Sequence, residues 1–278
     1  MDRRIALSRS SRGIARFSRP EMRVTRGLRI AVILTVLSAL GGCSPAQVSL
    51  GSVTYPATAP LQPHQPATAT PNGACPGSLS TAQSGPDIYG AWWEVRDDSS
   101  AILMVGRSTD SGKSWAITAQ ADTSDHSLRG CTRPPPAVAA DSTTNYVDIA
   151  YFMDAREGPG VFFTHSMDAR KLGTGDGIFH SPVPVVYGDQ PSEVSVAAKG
   201  DELVVAYEDP NGEREVVGLA LSSTMGHIFE QRLIVSQPET PARAPIVAIR
   251  GDSVIVQWME RPDSVTTGGR VAVRTARW

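Results

Sequence analysis

The chain has 278 residues, with 26 basic and 28 acidic side chains and only three cysteines. Nine of the arginines fall in residues 1–29, so residues 44–278 hold 17 basic against 26 acidic residues, a balance of −9. A region of that sign has no electrostatic case for nucleic acid, and its field favours cationic partners.

Residues 1–29 contain two acids, Asp2 and Glu21, and lead into an apolar run, Ile30–Leu40, followed by Gly41, Gly42 and Cys43. Eleven apolar residues fall short of the roughly 20 needed to span a bilayer. A basic region, a short apolar core and small residues before a cut describe a secretory signal peptide over 1–42. Met22 is followed by a basic stretch of its own, so 1–21 is read as a mis-assigned start. The Leu-Gly-Gly-Cys ending resembles a bacterial lipobox. The resemblance implies cleavage before Cys43, lipidation of its thiol and amino terminus, and a membrane contact made through that lipid. Ser44 lacks the Asp that in the enterobacterial rule retains a lipoprotein at the inner membrane, so the outer membrane is the expected location.

Residues 44–74 carry six prolines and no charged side chain. Such a composition cannot bury a core and reads, with Cys43, as a semi-rigid tether. Cys75 and Cys131 remain, and in an oxidising compartment two thiols read as one disulfide.

From residue 75 to 278 the chain repeats itself. Residues 136–151, 193–207 and 245–258 each pair an alternating strand with a polar turn and a second β-branched strand that ends on an aromatic. A fainter copy ends at 88–93. Trp92, Tyr151, Tyr207 and Trp258 are the equivalent aromatics, at spacings of 59, 56 and 51 residues. Third strands are expected at 101–107, 160–165, 215–221 and 270–276. A period near 50 with several strands per unit predicts an all-β protein, a β-propeller of about four antiparallel four-stranded blades. The alternative is a β-sandwich, which also has short alternating strands and frequent turns. The fourth unit ends at its third strand, and residues 47–55 are the upstream candidate for a closing strand.

After the third strand of the first unit comes Ser108-Thr-Asp110-Ser-Gly112-Lys-Ser-Trp115. An Asp carboxylate closes a turn by accepting backbone N–H groups, and Gly takes the positive φ. The pattern resembles the Asp-box of sialidase-type β-propellers, which implies a turn between the third and fourth strands of a blade. Worn copies stand at Ser166, Asp168 and Phe179, and at Ser222, Thr224, Gly226 and Phe229.

The family resemblance also frames the chemistry. Propeller loops that join second to third strands share a face with those that lead into first strands, and that face carries function. Glu94, Asp154, Glu208, Asp209 and Glu260 open the former, and Arg133 and Arg243 stand before first strands. Convergent carboxylates offer oxygen ligands to Ca²⁺ or to cationic groups of a glycan or protein; turn acids in water are the plain alternative. Sialidases recognise a carboxylate with three arginines and use a Tyr–Glu pair and an Asp. Here the third unit has Pro191, Ser192 and Glu193 where the remaining arginine would stand. No metal ligand set or obligatory cofactor is expected: the five histidines (His64, His126, His165, His180, His227) are scattered, with His165 and His180 as turn or strand residues. No Gly-x-Ser-x-Gly elbow or P-loop occurs. The expected function is a non-catalytic propeller at the cell envelope that binds a protein or glycan; a sialidase-like glycoside hydrolase is the alternative. Oligomeric state is not readable.

Overall fold

The computed structural model describes residues 48–62, 69–173, 179–212, 214–261 and 269–277. The signal segment, Cys43, the start of the tether and His64 lie outside the described residues.

Fifteen strands follow the repeat and a sixteenth precedes it. Blade I consists of β2 (Ser80–Ser84), β3 (Asp87–Val95), β4 (Ala101–Ser108) and β5 (Ile117–Asp122). Blade II consists of β6 (Ala137–Asp141), β7 (Tyr146–Ala155), β8 (Gly158–Ser166) and β9 (Val183–Tyr187). Blade III holds β10 (Val194–Lys199), β11 (Glu202–Glu208), β12 (Val217–Ser222) and β13 (Gln231–Ile234). Blade IV has β14 (Ala242–Arg250), β15 (Ser253–Glu260) and β16 (Arg270–Arg277), and β1 (Ser49–Leu50) completes it as the outermost strand. Every pairing is antiparallel, and β1 pairs with β16 through Ser49–Arg277 and Leu50–Ala276. Four separate four-stranded sheets, rather than two packed ones, replace the sandwich alternative.

The core lies between blades. The first strands β2, β6, β10 and β14 contact one another in succession. One apolar cluster joins blades I and II around Trp93, Tyr151 and Ile149; a second joins II and III around Phe163, Val205 and Tyr207. A third joins III and IV around Leu219, Val256 and Trp258, with Val48, Leu50 and Val53 packed against it. A sheet covered on both faces reads as continuous rather than alternating burial, which is the pattern of β7, β11 and β12.

In blade I, Trp92 and Trp115 pack with ring centroids 5.9 Å apart. Gly90 and Gly106 lie directly opposite each other across β3 and β4, and a Cβ on either would come within 2.7 Å of an indole. Parts of the stretch read as a tether also lie against the blades. Thr54 bridges Val273, and Leu61 is held at both backbone polar groups by the Gln257 amide, at 3.0 and 3.1 Å. Ala69 donates to the Gly112 carbonyl and accepts the Trp115 indole N–H. Cys75 and Cys131 are disulfide-bonded with Cα atoms 5.3 Å apart, which ties the entry of blade I to the loop before blade II.

The Ser108–Trp115 turn is a dense hydrogen-bond knot. Asp110 accepts from Ser108 Oγ at 2.6 Å, from the Lys113 and Ser114 amides at 3.0 Å, and from Ser114 Oγ at 2.7 Å. These donors hold its carboxyl down at a pKa of about 2, with the Ser108 hydroxyl the largest cause. In blade III the same backbone path survives without the acid. Met225 has φ 56° where Ser111 has 62°, and Gly226 has 81° where Gly112 has 79°. Thr224 Oγ1 accepts the Ile228 amide at 3.0 Å, the bond that Asp110 makes to Ser114 in blade I.

Candidate binding face

Antiparallel order puts the ends of the second strands and the starts of the first strands on one side of the ring, and the Ser108–Trp115 turn on the other. The candidate residues of the first side are mostly bonded to one another. Glu94 accepts the Trp92 indole N–H at 2.9 Å, and Glu260 accepts that of Trp258 at 3.0 Å. The same indole-to-carboxylate bond thus recurs two residues along in blades I and IV. Glu260 is fully buried and also takes Arg270 Nε at 3.1 Å and Nη2 at 3.0 Å. Arg270 stacks over Tyr55, 3.8 Å from the ring centroid.

Arg133 does not face solvent. Its guanidinium is buried against Asp125, donates to the Ser127 and Gly130 carbonyls, and lies 5.9 Å from the Trp93 ring. With four of its five N–H donors engaged, the fork has no pair of donors left to grip a ligand carboxylate. Asp154 receives Arg129 at 3.5 Å through one oxygen, and its other oxygen is buried without a hydrogen bond.

Blades III and IV bring the rest together. Arg243 makes a two-pronged ion pair with Glu215, which holds the Glu215 carboxyl below its ordinary range. Glu208 accepts the Ala244 amide at 3.0 Å and the Glu193 amide at 3.3 Å. Glu208, Asp209 and Arg243 line a cleft of about 420 Å³ together with Gln190 and Ser192. Arg243 also borders a smaller recess of about 220 Å³ that contains Glu260. Glu94, Asp154 and Arg133 line neither.

Glu193 was not among the candidates, yet desolvation raises its carboxyl, the Glu208 charge raises it further and Arg243 draws it back. Glu193 also lines a cavity of about 630 Å³ where β2, β6, β10 and β14 meet the Pro60–Gln62 segment. The remaining lining is Pro, Ser, Thr, Val, Ile and Ala apart from Arg250 at one end. The signal in sequence was Glu193 taking the place of an arginine in the third unit.

Among the described residues, one group of three or more His, Cys, Asp or Glu side chains lies within shared-ligand reach: His165, His180 and His227, on the opposite side of the ring. Burial, then the neighbouring His180 and His227, lowers the His165 pKa to about 4, with the Met225 backbone pulling weakly upward. Behind it burial, and secondarily Asp141, raises Asp148 to about 8. Sequence spacing hid this cluster, because His165 and His227 belong to different blades.

No family model matches the chain, and no curated protein is similar to it. Among solved structures, it is similar to a protein of unknown function from Dyadobacter fermentans DSM 18053, with TM-score 0.47, 13% identity and coverage of 69% of this chain and 50% of that one. A GH43_12 protein retrieved from a capybara gut metagenome matches at TM-score 0.44 and 12% identity, over 74% of this chain and 42% of that one. A GH43 endo-arabinanase from Bacillus licheniformis matches at TM-score 0.41 and 9% identity, over 72% and 73%. The chain thus spans half or less of the length of the first two. At these identities and TM-scores no residue or activity transfers.

Proposed function

We propose that the protein is a non-catalytic recognition module, displayed at the outer membrane through lipidated Cys43, that takes an uncharged or cationic glycan at the central cavity and the adjoining blade III–IV cleft. The observation that supports this reading is the cavity itself. Its volume of about 630 Å³ falls within the usual range for small-ligand sites, and its hydroxyl-bearing and apolar lining suits a polyhydroxylated ligand. Glu193, Glu208 and Asp209 at the edge set the preference for cations. A glycan array probed with the full chain in detergent tests it. Ser80→Trp, which fills the cavity, and Glu193→Gln should each weaken the strongest signal at least about tenfold, as expected for lost contacts in a small site. Binding untouched by both would sink the reading. The anchor is tested apart, by incorporation of a labelled palmitate analogue that Cys43→Ser abolishes.

A glycosidase is the second reading, favoured by Glu193 beside Glu208. A carboxyl raised by burial and by a neighbouring carboxylate, as Glu193 is, has the character of the general acid in cleavage of a glycosidic bond. The sialidase form of that reading needs arginine forks open to substrate, whereas Arg133 and Arg243 are occupied by Asp125 and Glu215. Release of aryl alcohol from aryl glycosides, lost in Glu193→Gln with binding retained, would establish it over the binding-only reading.

A further inference from the structure

We propose that His165, His180 and His227 form a three-imidazole site for one divalent transition-metal ion of the zinc type, at the seam between blades II and III. The site is built from two blades. His165 ends β8, His180 lies between β8 and β9, and His227 follows Gly226 in the turn between β12 and β13. Ring centroids are 4.5 Å apart for His165 and His180, 4.9 Å for His165 and His227, and 5.4 Å for His180 and His227. One ligand nitrogen from each ring falls within 4.8 Å of the others.

The ring nitrogens converge on a common point, and an ion there would displace the proton shared by His165 and His180. His227 Nδ1 lies 2.7 Å from the Thr224 carbonyl oxygen. A carbonyl only accepts, so Nδ1 carries the proton and Nε2 is left with its lone pair. His165 presents Nε2 to His180 Nδ1 at 3.0 Å. Its other nitrogen, Nδ1, is buried with no hydrogen bond, 3.9 Å from Asp148 Oδ1, and Asp148 Oδ2 is equally buried and unbonded. Metal-bound imidazoles are oriented by a hydrogen bond from the far ring nitrogen to a carboxylate, and Asp148, 3.9 Å away, stands a few tenths of an ångström beyond that reach. Ion binding would thus give a role to two buried polar atoms that the fold alone leaves unsatisfied. A Zn–N bond of about 2.0–2.1 Å requires tetrahedral N···N separations near 3.3 Å, so the His165–His180 pair needs to open by roughly 0.3 Å and the widest pair, within 4.8 Å, to close by up to about 1.5 Å, a movement left to the exposed His180 and His227 side chains.

Three neutral imidazoles select borderline ions such as Zn²⁺ and Cu²⁺ over Ca²⁺ and Mg²⁺, which require oxygen. His180 and His227 are solvent-exposed, which provides an entry path and leaves a fourth position open to water. The turn in blade III is what makes the site possible, since it places His227 where blade I has Lys113.

The test uses the untagged full chain in detergent, stripped with chelator and titrated with Zn²⁺ by calorimetry at pH 7.5. One Zn²⁺ per chain is expected, with millimolar Ca²⁺ not competing. His180→Ala and His227→Ala, both exposed, should each weaken binding at least about tenfold, while His126→Ala on the other side of the ring leaves it unchanged. Co²⁺ in place of Zn²⁺ should give visible ligand-field bands that both variants lose. Absence of stoichiometric binding at about 100 µM Zn²⁺, or binding indifferent to both variants, overturns the site.

Discussion

Gly106→Ala probes the packing of Trp92 and Trp115 against blade I. Gly106 and its partner Gly90 have φ values outside the left-handed region, so the backbone accepts a Cβ at either without strain. The objection is steric. A methyl on Gly106 would meet Trp92 Cη2 at 2.7 Å, Trp92 Cζ3 at 2.9 Å and Trp115 Cε3 at 3.0 Å. Trp92 is 1% exposed, so it has no solvent into which to retreat. Overfilling a packed interior by one methyl costs about 1–3 kcal/mol. Removing a glycine from the unfolded chain returns roughly 0.5–1 kcal/mol. The net lies between about 0 and 2.5 kcal/mol with a centre of about 1.3 kcal/mol, or a fall in Tm of roughly 3–5 °C at the centre for a domain of this size. The control is Trp92→Phe, because phenylalanine lacks the two indole atoms that the methyl would strike. In a double-mutant cycle read by urea denaturation, Gly106→Ala should cost less in the Trp92→Phe background than in the parent. Equal costs in both backgrounds would refute the steric argument.

Replacing Cys75 and Cys131 by Ser opens a loop of 56 residues and should cost about 3–4 kcal/mol by urea denaturation. Glu260→Ala strands the buried Trp258 N–H and should cost about 1–3 kcal/mol in the same assay. Glu94→Ala should cost less, because Glu94 is itself only partly buried and water can take the place of its carboxylate at the Trp92 N–H. Between pH 6.5 and 8, in chelator, the urea midpoint should fall as pH rises, because Asp148 has a folded pKa raised to about 8 and loses its stabilising proton there. His165, with a folded pKa lowered to about 4, contributes the opposite slope only below its ordinary 6.5, where the unfolded chain binds the extra proton. Asp148→Asn should therefore flatten the profile above pH 6.5 and leave it rising with pH between 4 and 6.5.

The blade frame was legible because strand alternation and a fixed repeat are local or periodic signals. Trp92, Tyr151, Tyr207 and Trp258 do occupy equivalent second-strand positions, and the latter three pack against the preceding blade. The closing strand was legible only in part: β1 is two residues long, and Gly51 follows it by donating to the Thr275 carbonyl outside the ladder. The anchoring of Leu61 by Gln257 was not legible, since one glutamine side chain 196 residues away makes both bonds. The face-wide acid pattern was read as a place for ligands because each carboxylate follows an equivalent aromatic. The same equivalence explains why several are occupied. Where an indole N–H stands two residues before a carboxylate at a strand end, the buried donor requires an acceptor, and the carboxylate supplies it.

Repetition therefore separates architecture from function in this ring. A residue type that recurs at one blade position answers a need that every blade shares, as Glu94 and Glu260 answer their tryptophans and Gly112 and Gly226 answer a positive φ. Positions at which one blade departs from its siblings are free of that need. Glu193 departs by placing an acid at the entry to a first strand, beside Glu208, where blades II and IV have Arg133 and Arg243 nearby. His227 departs from Lys113 inside a turn whose backbone angles are otherwise retained, and it meets His165 and His180 from the preceding blade. Both departures end in groups that the fold does not satisfy alone: a carboxyl raised by its neighbour, and a ring of imidazoles backed by unbonded Asp148. The conserved turn supplies rigidity, and the exchanged side chain supplies the chemistry. The two proposed sites lie on different parts of the ring, so a variant at either should leave binding at the other unchanged.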